Sequence, residues 1–234
     1  AGSTKVAVSA AGMKKECEIV VVDFTAAKLE LNKEFAQDKQ DTSKYTHMIM
    51  KDDQLQISPR FYNSDDERVD ELSYPKYEVT DWNPSTEGTN VLSVDENGLV
   101  TALNPGVATV KVSGAGKEAF VTLTVKSLEL SVYEMSMYVN QYESLIATVL
   151  PESLGVLEKE VEWSSSAAEY VKVSTTGVVT ALKSTTEPVA ISARCGRLVA
   201  NCMVTVTEYE IDEVLLTELE GLKAADETYQ MLVG

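Results

Sequence analysis

The stretch Val94-Asp95-Glu96-Asn97-Gly98-Leu99-Val100-Thr101-Ala102-Leu103 returns about 80 residues later as Val173-Ser174-Thr175-Thr176-Gly177-Val178-Val179-Thr180-Ala181-Leu182. Each copy follows a lone tryptophan, Trp82 or Trp163, and precedes a pair of alternating apolar strands. A repeat of this period assembled from short strands predicts an all-β chain of tandem β-sandwiches. The Asn97-Gly98 pair supplies the positive-φ positions that a tight hairpin turn needs, and Thr176-Gly177 takes its place in the second copy.

Outward from these copies, each repeat ends in a hairpin. Thr109 to Ser113 alternates, turns at Gly114-Ala115-Gly116, and returns as Val121 to Val125. Val189 to Ala193 turns at Gly196 and returns as Cys202 to Val206. A third such hairpin opens the chain: Lys5 to Ser9, a turn at Ala11-Gly12, then Cys17 to Val22. This alignment gives Cys17, Val121 and Cys202 one inward position. An isolated hairpin is marginal in water, so the first one should lean on a neighbour or belong to an incomplete domain.

The organisation that follows has four parts. Residues 1–22 read as the closing hairpin of a partial repeat, and 23–127 as a full repeat with a polar insertion near 36–46. Residues 128–208 form a second full repeat, and 209–234 carry opening strands of a further, partial one. Those opening strands are placed at 214–219 and 229–234. Lys126-Ser127 links the full repeats and is too short for a flexible tether.

Trp82 and Trp163 are assigned to the structural core, each filling the space between two sheets about 10 Å apart. Trp82 sits on what reads as a central strand. Around it Val94, Leu99, Val110, Val112, Val121, Leu123 and Val125 alternate inward. Val173, Val178, Val189, Ile191, Cys202, Val204 and Val206 do so around Trp163.

Composition limits the function. The chain has 234 residues, 44% of them apolar, and 37 carboxylates against 20 Lys plus Arg, for a net charge of −17. Such a surface repels nucleic acid and anionic lipid. No apolar run is long enough for a spanning helix, so direct membrane insertion is not expected. The chain begins Ala1-Gly2-Ser3 and reads as a processed piece of something longer. Three cysteines, Cys17, Cys195 and Cys202, cannot all pair within one chain. They are read as buried free thiols.

Catalytic patterns are missing. His47 is the only histidine, and no nucleophile-base pairing, zinc-ligand spacing or phosphate-cradling glycine loop is present. The chain is read as non-catalytic, without a required cofactor. Asp65, Asp66 and Glu67, near Asp70 and Glu71, are the candidate ligands for calcium, since clustered loop carboxylates suit a hard cation. Tyr62, Tyr74 and Tyr77 are the candidate ligand-binding residues, as loop tyrosines can stack on sugars or anchor a protein. The insertion near 36–46 points the same way, because loop insertions on a constant scaffold often carry function.

At this point the residues carry a resemblance. The Leu145-x-Ala147-x-Val149-x-Pro151 strand, Trp163-Ser164-Ser165-Ser166, Val173 to Leu182 and the closing Val-x-Val hairpin resemble the bacterial immunoglobulin-like group 2 family. The resemblance spans nearly all of 128–208 and covers 23–127 more loosely. The glycine usual before the second strand is Asn140 in one repeat and Lys51 in the other. The resemblance implies tandem immunoglobulin-like β-sandwiches with partial sandwich segments at both ends. It also implies a bacterial cell-surface or secreted protein, of the intimin and invasin kind, in which such repeats act as spacers or in adhesion. A phage structural role is the alternative within the family. Expected partners are host or bacterial surface glycans or proteins, with self-association through the terminal partial repeats.

Overall fold

The computed structural model describes residues 2–21, 24–70, 73–152, 161–209, 224–225 and 228–229. Among them there is no α-helix. β1 (Gly2–Ala10) and β2 (Met13–Val21) form an antiparallel hairpin. Next come β3 (Lys28–Glu30), β4 (Ala36–Gln37), β5 (Lys44–Met50), β6 (Gln54–Gln56) and β7 (Arg60–Tyr62). They are followed by β8 (Lys76–Pro84), β9 (Leu92–Val94), β10 (Leu99–Ala102), β11 (Gly106–Gly114) and β12 (Lys117–Leu130). One sheet runs β4-β5-β12-β11-β8 and another β6-β10-β9, while β3 pairs β7. Between them lies a core of Leu31, Ile57, Val91, Val100, Val110, Val121 and Leu123, among others.

The second sandwich repeats the plan. It contains β13 (Glu134–Tyr138), β14 (Tyr142–Ser144), β15 (Ala147–Leu150), β16 (Glu162–Ser165) and β17 (Val171–Val173). It is completed by β18 (Val178–Ala181), β19 (Val189–Cys195) and β20 (Leu198–Thr207). The sheet β13-β20-β19-β16 faces the sheet β14-β18-β17 across a core that includes Met137, Leu145, Val179, Ile191, Cys202 and Val204. The chain is therefore a tandem of immunoglobulin-like sandwiches. β21 (Ala224–Ala225) and β22 (Thr228–Tyr229) pair beyond them. The opening strands expected at 214–219 and 229–234 lie outside the described residues, save for the single position Tyr229.

The three closing hairpins share one register. Val6 pairs Cys17, Val110 pairs Val121, and Ile191 pairs Cys202. Their turns use Ala11-Gly12, Ala115-Gly116 and Gly196, with φ positive at each. Positive φ at both central residues gives a two-residue turn the twist of its flanking strands. Their surroundings differ. The Val110/Val121 and Ile191/Cys202 pairs are fully buried, whereas residues 3–19 are all exposed, Cys17 included. Cys17 is thus an exposed thiol rather than an inward one, because no second sheet faces its hairpin among the described residues. All three thiols are free: Cys17 exposed, Cys195 half-buried and Cys202 buried.

Three sequence expectations need correction. Lys126-Ser127 is not a linker. It lies inside β12, whose Gly106-to-Gly114-facing part closes the first sandwich and whose Ser127–Leu130 part pairs β15 in the second. Leu99 and Val178 do not lead the inward rows of their strands. The fully buried residues are Val100 and Val179, while Leu99 and Val178, which open β10 and β18, are half-buried. Trp82 is on neither a central strand nor a core site. β8 is the sheet edge, and Trp82 is 53% exposed.

The register does not turn Trp82 away from the core: past a shift it pairs buried Ala108, and its exposure comes from its place on the open edge strand. β8 and β11 pair cleanly from Tyr77/Val112 to Val79/Val110, then shift by one residue. Thr80 is the extra residue of this bulge, and the strand beyond it carries Trp82 along an open edge. In the second sandwich Trp163 pairs Ala193, and Ala193 pairs Ala200. The matching ladder in the first sandwich is Tyr77, Val112 and Ala119. Tyr77, not Trp82, therefore stands where Trp163 stands. The repeated glycines agree: a Cβ on Gly177 would lie 2.9 Å from the Trp163 ring, and one on Gly98 would lie 2.5 Å from the Tyr77 ring. Each turn is closed over the aromatic by a residue without a side chain, and φ is about +80° at both.

Candidate functional site

The three tyrosines singled out from sequence do not form one face. Tyr77 is packed against the first core, and burial, with the Asp95 carboxylate second, pushes its phenol above the ordinary range. It stands half-buried against that core. Tyr62 is half-buried on β7, with the Lys28 ammonium 5.3 Å from its ring centroid. Lys28 in turn pairs Glu30 at 2.5 Å, and this bond holds the Glu30 carboxyl below its usual range. Tyr74 alone is free for contact, 79% exposed with φ +43°. It borders an open crevice with Ser73, Lys76, Gly114 and Glu118 at the β11–β12 turn.

The acidic loop is organised by an asparagine. Asn63 Oδ1 accepts the N–H groups of Asp65 and Glu67 at 3.0 and 2.9 Å, and its amide donates to Glu67 Oε2 at 3.0 Å. Asp66 takes positive φ within this turn. Asp70 is spoken for twice, accepting from the Phe61 N–H at 2.7 Å and from Arg68 Nε. Among the described residues no group of three His, Cys, Asp or Glu side chains is placed to hold a metal ion. Asp65, Asp66 and Glu67 lie exposed on this turn. Glu71 lies outside the described residues.

The polar insertion is a tight hairpin between β4 and β5. Asp38 Oδ1 accepts the N–H groups of Gln40 and Asp41. Asp41 accepts the Ser43 hydroxyl at 2.5 Å and pairs Lys44 at 3.0 Å. The Ser43 hydroxyl first, and Lys44 after it, lower the Asp41 carboxyl from 3.8 to about 2. The loop satisfies its own polar groups, which orders it without any partner. His47, next along, rests its ring 5.1 Å from that of Phe35. Every buried side-chain nitrogen or oxygen among the described residues has a hydrogen-bond partner.

Two features escaped the sequence reading. One is the exposed Trp82 on the β8 edge. The other is the junction between sandwiches. There β12 passes straight through with Ser127 buried, flanked by a crevice that Met50, Asp52 and Asp53 line from one side and Tyr133, Arg197 and Leu198 from the other. The sequence carried part of the signal for the junction: apolar alternation runs from Val121 to Val125 and resumes at Leu128 and Leu130 on the other parity, with only Lys126 and Ser127 between. The Trp82 bulge had no such signal beyond the unequal spacing of the two tryptophans from their repeated turns.

No family model matches the chain. An uncharacterized protein of Clostridium acetobutylicum is 33% identical over 131 residues, covering 53% of this chain and 13% of that protein's length. Among solved structures, invasin, a bacterial integrin-binding protein, is 12% identical with a TM-score of 0.43, over 84% of this chain and 42% of that one. Domains 1–6 of the surface layer protein SbsC are 16% identical with a TM-score of 0.31, over 89% of this chain and 35% of that one. A GH10 xylanase from termite gut that contains a bacterial Ig-like domain is 21% identical with a TM-score of 0.25, over 31% of this chain and 18% of that one. No helix among the described residues is long and apolar enough to cross a membrane.

Proposed function

We propose that this chain is a non-catalytic stretch of a bacterial cell-surface or secreted protein, in which immunoglobulin-like repeats of the group 2 kind act as a stiff spacer. The observation that carries this reading is β12. One strand of 14 residues serves both cores, so the second sandwich cannot swing without breaking backbone pairing on one side of Ser127. The net charge of −17 supports it, since a strongly acidic surface keeps such a rod soluble and unattached. The position outside the cell rests on the family resemblance.

Small-angle scattering of the whole chain tests the spacer. The wild type should give the profile of a rod of fixed bend, and insertion of Gly-Ser-Gly-Ser between Lys126 and Ser127 should give a broad ensemble. A wild type already as broad as the insertion variant overturns the reading. Tyr74, exposed beside its crevice, favours adhesion as a second reading. Saturable binding to a glycan or matrix-protein array that Tyr74→Ala removes would establish it, and silence across the array would set it aside.

A further inference from the structure

One face of the β1–β2 hairpin is apolar and open. The pairs Val6/Cys17, Val8/Lys15, Ala10/Met13 and Thr4/Ile19 put their side chains on that face, because alternate residues of a strand point the same way. Val8 is 68% exposed and Met13 74%, with Val6, Cys17 and Ile19 exposed beside them. The register shared by the three hairpins names their equivalents. Val8 stands where Val112 and Ala193 stand, and Ile19 where Leu123 and Val204 stand; all four are fully buried. The edge of the hairpin is open too. β5 lies beside β12 and β13 beside β20. β2, the third closing strand, has only β1 for a neighbour among the described residues. A lone two-stranded hairpin is marginal in water, and an unpaired edge is a template for another strand.

The two full sandwiches show what covers such a face: the opening strands of a repeat and the sheet they lead into. Residues 209–234 read as opening strands of this kind, and charge favours them as the cover. The hairpin holds Lys5, Lys14 and Lys15 against Glu16 and Glu18, a net +1 in a chain of −17. Residues 209–234 hold seven carboxylates against Lys223, a net −6. Lys15 sharpens the match. It shares the apolar face, at the site that Ala119 and Ala200 fill in the buried hairpins, so whatever packs there must meet an ammonium. A second hairpin would bring a second Lys15, whereas the 209–234 segment brings carboxylates. Two sandwiches joined through β12 separate hairpin and segment along the chain, which favours a second copy as the source.

We propose that the apolar face of β1–β2 is a docking surface for the 209–234 segment of a second copy of this chain, so that copies add head to tail. Such a contact joins two different surfaces, and it extends into an open series unless the rotation between copies closes a ring. The proposal goes beyond the spacer reading and does not need it, since a chain with a flexible junction would associate in the same way.

Sedimentation velocity of the full chain over a concentration series tests the proposal, with labelling of Cys17 as a second readout. The mass should climb past two copies. Cys17, open to a thiol reagent at high dilution, should become protected as the mass climbs. Val8→Asp with Met13→Asp blocks the hairpin face, and neither residue belongs to a sandwich core. Leu215→Asp with Leu216→Asp blocks the segment. Each doubly substituted chain alone should lose association and stay at one copy. Their mixture should stop at a pair, joined by the one hairpin and the one segment left intact. The proposal is overturned by a wild-type mass that levels off at one copy or two, by association that survives Leu215→Asp with Leu216→Asp, or by a mixture that stays at one copy. Protection of Cys17 at a mass of one copy would place the cover within the same chain and overturn it as well.

Discussion

The two sandwiches share a hairpin register and a glycine turn, yet they place their tryptophans differently. Trp163 lies under Gly177 and packs on the second core, while Tyr77 lies under Gly98 and Trp82 is left on an open edge. What the repeat holds constant is an aromatic ring closed over by a glycine turn. In the first sandwich that ring is Tyr77, on one side of the Thr80 bulge in β8, while Trp82 on the other side pairs Ala108 and stays open to solvent at the sheet edge.

Aromatic truncation should break this comparison most sharply. Trp163→Ala and Tyr77→Ala should each cost about 3 kcal/mol, the lower range for removing a large aromatic that is not wholly buried. Trp82→Ala should cost below about 0.5 kcal/mol, as surface changes do. Denaturant unfolding followed by circular dichroism measures all three. Equal losses for Trp82 and Trp163 would restore the two tryptophans to equivalence.

The glycines come next. Gly177→Ala should cost about 2–3 kcal/mol, because its φ is +80° and the added methyl overlaps the Leu145 carbonyl oxygen as well as the Trp163 ring. Gly98→Ala meets mainly the Tyr77 ring. A double-mutant cycle sharpens the contrast. Tyr77→Ala should relieve much of the Gly98→Ala cost, while Trp163→Ala should leave most of the Gly177→Ala cost in place.

A smaller effect separates the cysteines. Cys202→Ser puts a hydroxyl into a buried site and should cost about 1–2 kcal/mol, whereas Cys17→Ser on the exposed hairpin should be neutral. Burial, with Glu134 second, raises the Cys202 thiol above its ordinary range. In the native chain a thiol reagent should therefore label Cys17 at once and Cys202 only on unfolding.

The smallest effect is that of Asp41. Its carboxyl is lowered to about 2 in the folded chain. The stabilisation it gives the β4–β5 turn is present above the ordinary carboxylate value and is lost as pH falls from about 4 through about 2. Asp41→Asn should flatten that part of an acid titration followed by the amide signals of Ser43 and Lys44.

Much of this fold was legible in the sequence. The repeated turn, the three hairpins and the apolar alternation of Val110, Val121, Ile191 and Val204 are local patterns of period two, and local patterns survive in a sequence. The placement of single side chains was less legible. Trp82 and Tyr77 exchanged roles because alternation in a sequence does not show which strand is left at the sheet edge. For Asp65, Asp66 and Glu67 composition shows clustered carboxylates, but not that Asn63 gathers their backbone into one turn. Lys126-Ser127 looked like a linker because a polar pair inside a strand resembles one between strands.

The central claim is that β12 locks the two sandwiches into one rod. A spin-label distance between exposed positions on each, Glu78→Cys and Lys172→Cys, tests it most directly. The native thiols would be replaced by Cys17→Ser, Cys195→Ser and Cys202→Val, the last borrowing the residue at the matching site of the first sandwich. The account predicts one narrow distance distribution that the Gly-Ser-Gly-Ser insertion at Lys126/Ser127 broadens. A broad distribution in the chain without the insertion would contradict it.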